Sequence, residues 1–187
     1  MKEPFRNDDM IRELINSFYN KYLQDETPIR VNFRKILSNL NSCERYSHLI
    51  HSYPAKLLHH IPYFFLQTDF FCPRDGVVLD PFCGTGTVLL EANLSGRSAK
   101  GADANPLAVL ISEVKTTYIE KDRLLNTKDR ILSGAKRIDI SDDLETTSIS
   151  YWFSETTIIQ LSRLECAINK IKNEQQKKFF LTCFSSL

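Results

Sequence analysis

Long apolar runs are absent from this 187-residue sequence, and none approaches the length of a membrane span. The N-terminal stretch Met1–Asp9 carries charges where a secretion leader would carry its apolar core. Metal-type and disulfide-type cysteine spacings are also missing. Cys43, Cys72, Cys83, Cys166 and Cys183 are scattered, which fits a reduced, cytoplasmic setting. An excess of one charge is lacking too: at a formal net charge of +1 there is no global basic field to hold a nucleic acid. Arg30, Arg34, Lys35, Arg45 and Lys56 do form local basic groups, readable as solvated surface or as phosphate contacts. His48 and His51 stand three apart with no accompanying acid or cysteine set, so no metal site is expected. The remaining balance, 42% hydrophobic and 25% charged, is that of a globular chain able to build one core of useful size.

The stretch from Val77 to Ala92 is the most informative part of the chain. Val77, Val78 and Leu79 form a short branched run closed by Asp80, the signal of a buried strand, and helical apolar spacing begins after Thr87. Between them lies the loop Pro81, Phe82, Cys83, Gly84, Thr85, Gly86, whose glycines permit a sharp turn and a close approach by a ligand. A loop at a strand's carboxyl end is where open α/β sheets bind nucleotides. The third position of a dinucleotide fingerprint is Leu89 rather than glycine, and no lysine follows either glycine as a P-loop requires. Asp80 at the mouth of the loop repels phosphate and attracts an ammonium or sulfonium, so the electrostatics favour S-adenosylmethionine, and a dehydrogenase is the least favoured reading. Ser98–Asp103 reads as a second strand ending in a carboxylate about 20 residues beyond the loop, where it serves either ribose hydroxyls or as a helix cap. Asn105-Pro106 then opens a helix with Leu107, Leu110, Ile111 and Val114 at helical spacing.

The run Asp80-Pro81-Phe82-Cys83-Gly84-Thr85-Gly86-Thr87 resembles the cofactor motif of DNA amino-methyltransferases, which methylate N4 of cytosine or N6 of adenine. Ser95–Thr116 continues the likeness, and upstream Arg45–Lys56, with Tyr53-Pro54-Ala55-Lys56, followed by His60–Leu66, resembles the family's other cofactor-side motif. The likeness spans roughly residues 30–120. It implies S-adenosyl-L-methionine as cofactor, DNA as partner and a restriction-modification setting. It also implies a cofactor site of Tyr53, Pro54, Asp80, Pro81, Phe82, Cys83, Gly84, Thr85, Gly86, Thr87, Asp103 and Ala104. In that site the upstream motif covers the methionine end, Asp103 takes the ribose, and Ala104 or Pro106 lines the adenine slot. Cys83 is read as a small packing residue.

The family's Ser/Asp/Asn-Pro-Pro-Tyr/Phe tetrapeptide, which holds the flipped base, has no counterpart. The seven prolines are nowhere adjacent and the last is Pro106, so no catalytic residue is assigned. The expected fold is α/β: a partial Rossmann-like class I methyltransferase sheet with helical N- and C-terminal segments. The segments are 1–40 (helical), 41–120 (cofactor-binding core) and 121–187 (helical). Residues 8–23 form an amphipathic helix through Met10, Ile11, Leu14, Ile15, Phe18 and Tyr22. Ser141–Ser148 reads as a connecting loop, Trp152-Phe153 as a staple or core anchor, and Ser154 as the N-cap of a helix carrying Ile158, Leu161, Leu164, Ile168 and Ile171. Asn173–Lys178 reads as solvated, before an apolar run Phe179–Phe184 that something should cover. The chain is expected to be a truncated or split enzyme, working with a second chain or a missing C-terminal portion that carries the tetrapeptide. An inactive remnant and an RNA methyltransferase fragment are the alternatives.

Overall fold

A computed structural model of the chain describes residues 8–38, 46–54, 56–140 and 149–187. The expected loop Ser141–Ser148 lies outside these residues, as do Met1–Asn7, Cys43, Arg45 and Ala55. The architecture is mixed α/β, with a two-stranded parallel sheet and flanking helices among the described residues. The chain divides into two compact units, Met1–Thr116 and Thr117–Leu187.

The first unit begins with α1 (Asp8–Asp25), followed by the short α2 (Phe33–Ile36) and α3 (His60–Leu66). Ile11 and Ile15 of α1 are buried with Leu37, Tyr63 and Phe64, and Met10, Leu14, Phe18, Phe33 and Ile36 pack around them. The amphipathic face therefore seats on its own unit. Tyr22, expected on that face, is instead 51% exposed, because α1 runs past the last residue it can cover.

Strand β1 (Val77–Asp80), helix α4 (Thr87–Leu94) and strand β2 (Ser98–Gly101) form one parallel βαβ unit, with Val77 opposite Ser98 and Asp80 opposite Gly101. β2 stops at Gly101 rather than at the expected Asp103. Ala102 N still donates to Asp80 O (3.0 Å), but Phe82 N turns back to Asp80 Oδ1 and Ala102 O takes Cys83 N instead, so the regular ladder ends there. Gly101 also fills the packing role that Leu89 cannot: a Cβ at 101 would come within 2.7 Å of Leu89 Cδ1 and 2.8 Å of Cys83 Cβ. The close approach thus belongs to the strand, and the helix keeps its leucine.

α5 (Pro106–Thr116) starts as the Asn105-Pro106 pair predicts, with Asn105 Oδ1 accepting from Leu107 N (2.9 Å). Its buried residues are Ala108, Ile111, Ser112, Val114 and Lys115, so Leu107 and Leu110 sit at the margin of the stripe. Arg97, 3% exposed, knits the unit together. It donates to the carbonyls of Leu66, Thr68, Ser95 and Cys72 and to Asp69 Oδ1 (3.0 Å), which fixes the loop after α3 beside the end of α4.

The second unit packs α6 (Lys121–Ala135), α7 (Glu155–Asn169) and α8 (Glu174–Phe184), with a 3-10 turn at Ile149–Tyr151. Ser154 caps α7 through its side chain, accepting from Thr157 N as expected. Trp152 is 77% exposed and edge-to-face with Tyr151, so it is no core anchor. The solvated stretch Asn173–Lys178 is the start of α8, with Asn173 accepting from Gln176 N as its cap and residues 173–175 exposed. Phe180, Leu181 and Phe184 pack on the cluster of Ile131, Ala167 and Ile168, so α6 and α7 supply the cover that the apolar run requires. No helix among the described residues is long and apolar enough to cross a membrane.

Candidate functional site

The loop between β1 and α4 is held in shape by its own hydrogen bonds. Asp80 Oδ1 accepts from Phe82 N (3.2 Å), Ala102 O from Cys83 N (2.9 Å), Asp103 Oδ2 from Gly84 N (2.9 Å), and Cys83 O from Gly86 N (2.8 Å). Gly86 has φ +73, in the left-handed region, and a Cβ there would collide with Ser112 of α5. These bonds decide what the loop offers. Four of its N–H groups are already spent, so it presents the remaining lone pairs of two carboxylates rather than a nest of donors. Such a surface suits cationic and hydroxyl groups and disfavours phosphate.

Asp103 is not the cap of α5, since Asn105 fills that position. Its Oδ1 accepts from Asn105 N (2.9 Å) while Oδ2 holds Gly84, so one carboxylate ties the loops after β1 and β2 together. Asn105 Nδ2 in turn donates to Tyr53 OH (2.8 Å), joining the upstream motif to the same place.

A cleft of about 400 Å³ gathers these elements. Of the expected residues, Tyr53, Asp80, Phe82, Cys83, Gly84, Thr85 and Thr87 line it. Gly86 is buried at the foot of α4, Asp103 is half-buried behind Gly84, and Pro54, Pro81 and Ala104 are exposed outside the lining. Lys56, Leu57, Leu79 and Val88 also line the cleft. Phe82, at the tip of the loop, is 87% exposed. Burial raises the Cys83 thiol above its ordinary pKa, as befits a packing residue.

Beneath the cleft is a layer of buried polar groups that composition alone does not reveal. His48 Nε2 meets Glu91 Oε1 of α4 at 2.8 Å, with both side chains buried. Lys56 Nζ donates to the carbonyls of His48 and His51, which fixes the upstream segment's bend. Lys115, 3% exposed, reaches Thr85 Oγ1 at 3.5 Å, and its pKa is lowered to about 8 by burial and then by the charge of Lys56. His59 and His60 stack beside His48, and burial followed by the Arg34 charge lowers the His60 pKa. Of these groups, the sequence singles out His48, His51 and Lys56, but not their pairing with Glu91 or the burial of Lys115. Of the local basic residues, Arg30, Arg34 and Lys35 are exposed and Lys56 is half-buried. No group of three or more His, Cys, Asp or Glu side chains able to hold a metal occurs among the described residues.

A family model described as DNA methylase matches residues 2–114, more than half of the chain. The chain belongs to the DNA methylase family. Members of this N6/N4 family use S-adenosylmethionine as methyl donor. The DNA methylase chain is 32% identical over 149 residues to the type II methyltransferase M.MvaI of Kocuria varians, covering 74% of itself and 33% of that protein. It is 35% identical over 108 residues to the type II methyltransferase M.MjaII of Methanocaldococcus jannaschii, covering 56% of itself and 20% of that protein. It therefore spans about a third and a fifth of the lengths of these relatives. No solved structure matches it.

Proposed function

We propose that the chain is the S-adenosylmethionine-binding part of a DNA methyltransferase that modifies an exocyclic amino group, N4 of cytosine or N6 of adenine, in a restriction-modification system. In this reading β1, α4 and β2 are the first βαβ unit of a Rossmann-like class I methyltransferase sheet. The observation that carries it is the single cleft in which Tyr53 and Lys56 of the upstream motif face Asp80 and the loop Phe82–Thr87. The donor set fits the cofactor. Asp80 is the acceptor for the amino group, the Lys56 ammonium is the counterpart of the carboxylate, and the free lone pairs of Asp103 take the ribose hydroxyls. Ala104 or Pro106 lies toward the adenine.

The bound cofactor supplies an electrophilic methyl group. The chain's own residues contribute position: they fix the sulfonium end so that an exocyclic amine can approach in line. The groups that hold the base belong to a second chain or a further portion bearing the Pro-Pro tetrapeptide. The open side of β1 supports this part of the proposal. β1 pairs with β2 on one edge only, among the described residues, and Val77 and Leu79 are 57% and 70% exposed. A parallel strand of this kind is normally covered on both faces.

The test is a calorimetric titration of the chain with S-adenosylmethionine beside Asp80→Asn, which keeps an acceptor for Phe82 N but removes the charge. Saturable binding weakened at least tenfold in the variant is the expected result. A folded chain that evolves no heat would sink the reading and leave an inactive remnant. Activity on tRNA rather than DNA, once a tetrapeptide-bearing portion is supplied, would move it to RNA methylation.

A further inference from the structure

A second cleft, of about 460 Å³, lies wholly within the second unit, where α6 passes the junction between α7 and α8. Its floor is apolar, formed by Ile131, Ala167 and Ile171. Three cations line it, Arg130 from α6 and Lys170 and Lys172 from the α7–α8 junction, and no acidic side chain does. None of the three has an ion-pair partner among the described residues. Thr127 Oγ1 lies 3.0 Å from Gln176 Oε1 across the same cleft, an arrangement that leaves the Gln176 amide nitrogen as a further donor. The three cations are exposed and free to meet an anion at one hollow, and an apolar floor below donors suits an anion that carries a hydrocarbon body.

We propose that this cleft binds a phosphodiester of the DNA backbone, with the sugar on the isoleucine floor and the phosphate among Arg130, Lys170 and Lys172. The choice of DNA rests on the DNA methyltransferase reading above. The contact positions the duplex and carries no sequence information, as phosphate contacts do. It reconciles the near-zero net charge with a nucleic-acid substrate, because the cations are concentrated rather than numerous.

The experiment is fluorescence anisotropy of a labelled DNA duplex with the full chain across roughly 50–200 mM salt. Each neutralised phosphate contributes about one unit to the slope of log affinity against log salt. Because the three cations share one phosphate, the triple variant Arg130→Gln/Lys170→Gln/Lys172→Gln is expected to lower that slope by about 1. The control Lys121→Gln/Arg123→Gln/Lys128→Gln, which removes the same charge elsewhere on α6, should leave it within about half a unit. An unchanged slope in the triple variant, or an equal loss in the control, overturns the proposal. So does a wild-type chain that binds no DNA, and the cofactor titration on the same sample then shows whether the methyltransferase reading survives. Displacement by inorganic phosphate without any binding of DNA would assign the cleft to a free anion instead.

Discussion

Replacing Lys115 with methionine tests whether the layer beneath the glycine loop is held at an electrostatic cost. Lys115 is 3% exposed, and its pKa falls from 10.5 to about 8 through burial and the neighbouring Lys56 charge. At 1.36 kcal/mol per pKa unit, that gap is a penalty of about 3 kcal/mol for keeping the ammonium buried. Methionine has similar length and no charge. It forfeits the long contact with Thr85, worth about 1 kcal/mol, so the net gain at pH 7 is about 1–3 kcal/mol.

The pH dependence carries the sign. Below about pH 8 the lysine is charged in both folded and unfolded chains, and the penalty is present in full. Between about 8 and 10.5 the unfolded chain binds more protons, so the wild type recovers stability as pH rises and the methionine advantage fades. Cys83 and Cys183, whose thiols burial raises, act in the opposite direction, their contribution falling as pH climbs past the ordinary thiol value of 9.0. Both are common to the two proteins and cancel in the difference. The assay is urea unfolding followed by far-ultraviolet circular dichroism at pH 7, 8.5 and 10. A methionine variant less stable at pH 7, or an advantage that does not shrink toward pH 10, refutes the reasoning.

The two loop glycines are expected to separate cleanly. Gly86→Ala meets both left-handed strain and a collision with Ser112, costing about 2–4 kcal/mol, whereas Gly84→Ala, at φ +49 with nothing within 4 Å, costs about 1 kcal/mol. Melting temperatures of the two variants check this, and equal losses would contradict it. Glu91→Ala leaves buried His48 without its hydrogen-bond partner and should destabilise the chain by about 1–3 kcal/mol. Hydrogen exchange should then show the largest loss of protection over residues 46–54. A loss confined to α4 would mean that the pair does not anchor the upstream segment.

Most of the local structure was legible because it follows from short-range rules. The strand before Asp80, the helix opened by Asn105-Pro106 and the cap at Ser154 each need only a few consecutive residues and appear where expected, although Val77 and Leu79 are exposed rather than buried and Ile171 lies beyond the end of α7. What the sequence concealed depends on pairs distant along the chain. Asp103 with Gly84, Asn105 with Tyr53, and His48 with Glu91 are separated by 19, 52 and 43 positions, and periodicity cannot register such contacts. The two aromatic surprises, Tyr22 and Trp152, have a related origin: an apolar side chain is buried only if its element ends against something able to cover it. The apolar run of α8 is the converse, since its cover comes from the stripe of α7 together with Ile131 of the polar helix α6.

The arrangement of charge around the first cleft limits what the proposed reading can accept as ligand. Asp80 and Asp103 each already take backbone hydrogen bonds, so their geometry is fixed before any ligand arrives. Lys56 is fixed equally firmly by two carbonyls on the opposite wall. On the proposed reading, a ligand entering between them presents a positive group to Asp80, a negative group to Lys56 and hydroxyls to Asp103. A dinucleotide would bring two phosphates against loop donors that are already occupied and a carboxylate that repels them. An amino acid joined through a sulfonium to a nucleoside meets all three requirements with one molecule and no net excess of negative charge. Preorganisation of this kind lowers the entropy lost on binding. Asp80→Asn, which keeps the loop's hydrogen bond while removing its charge, is therefore a sharper probe of the site than any substitution that also collapses the loop.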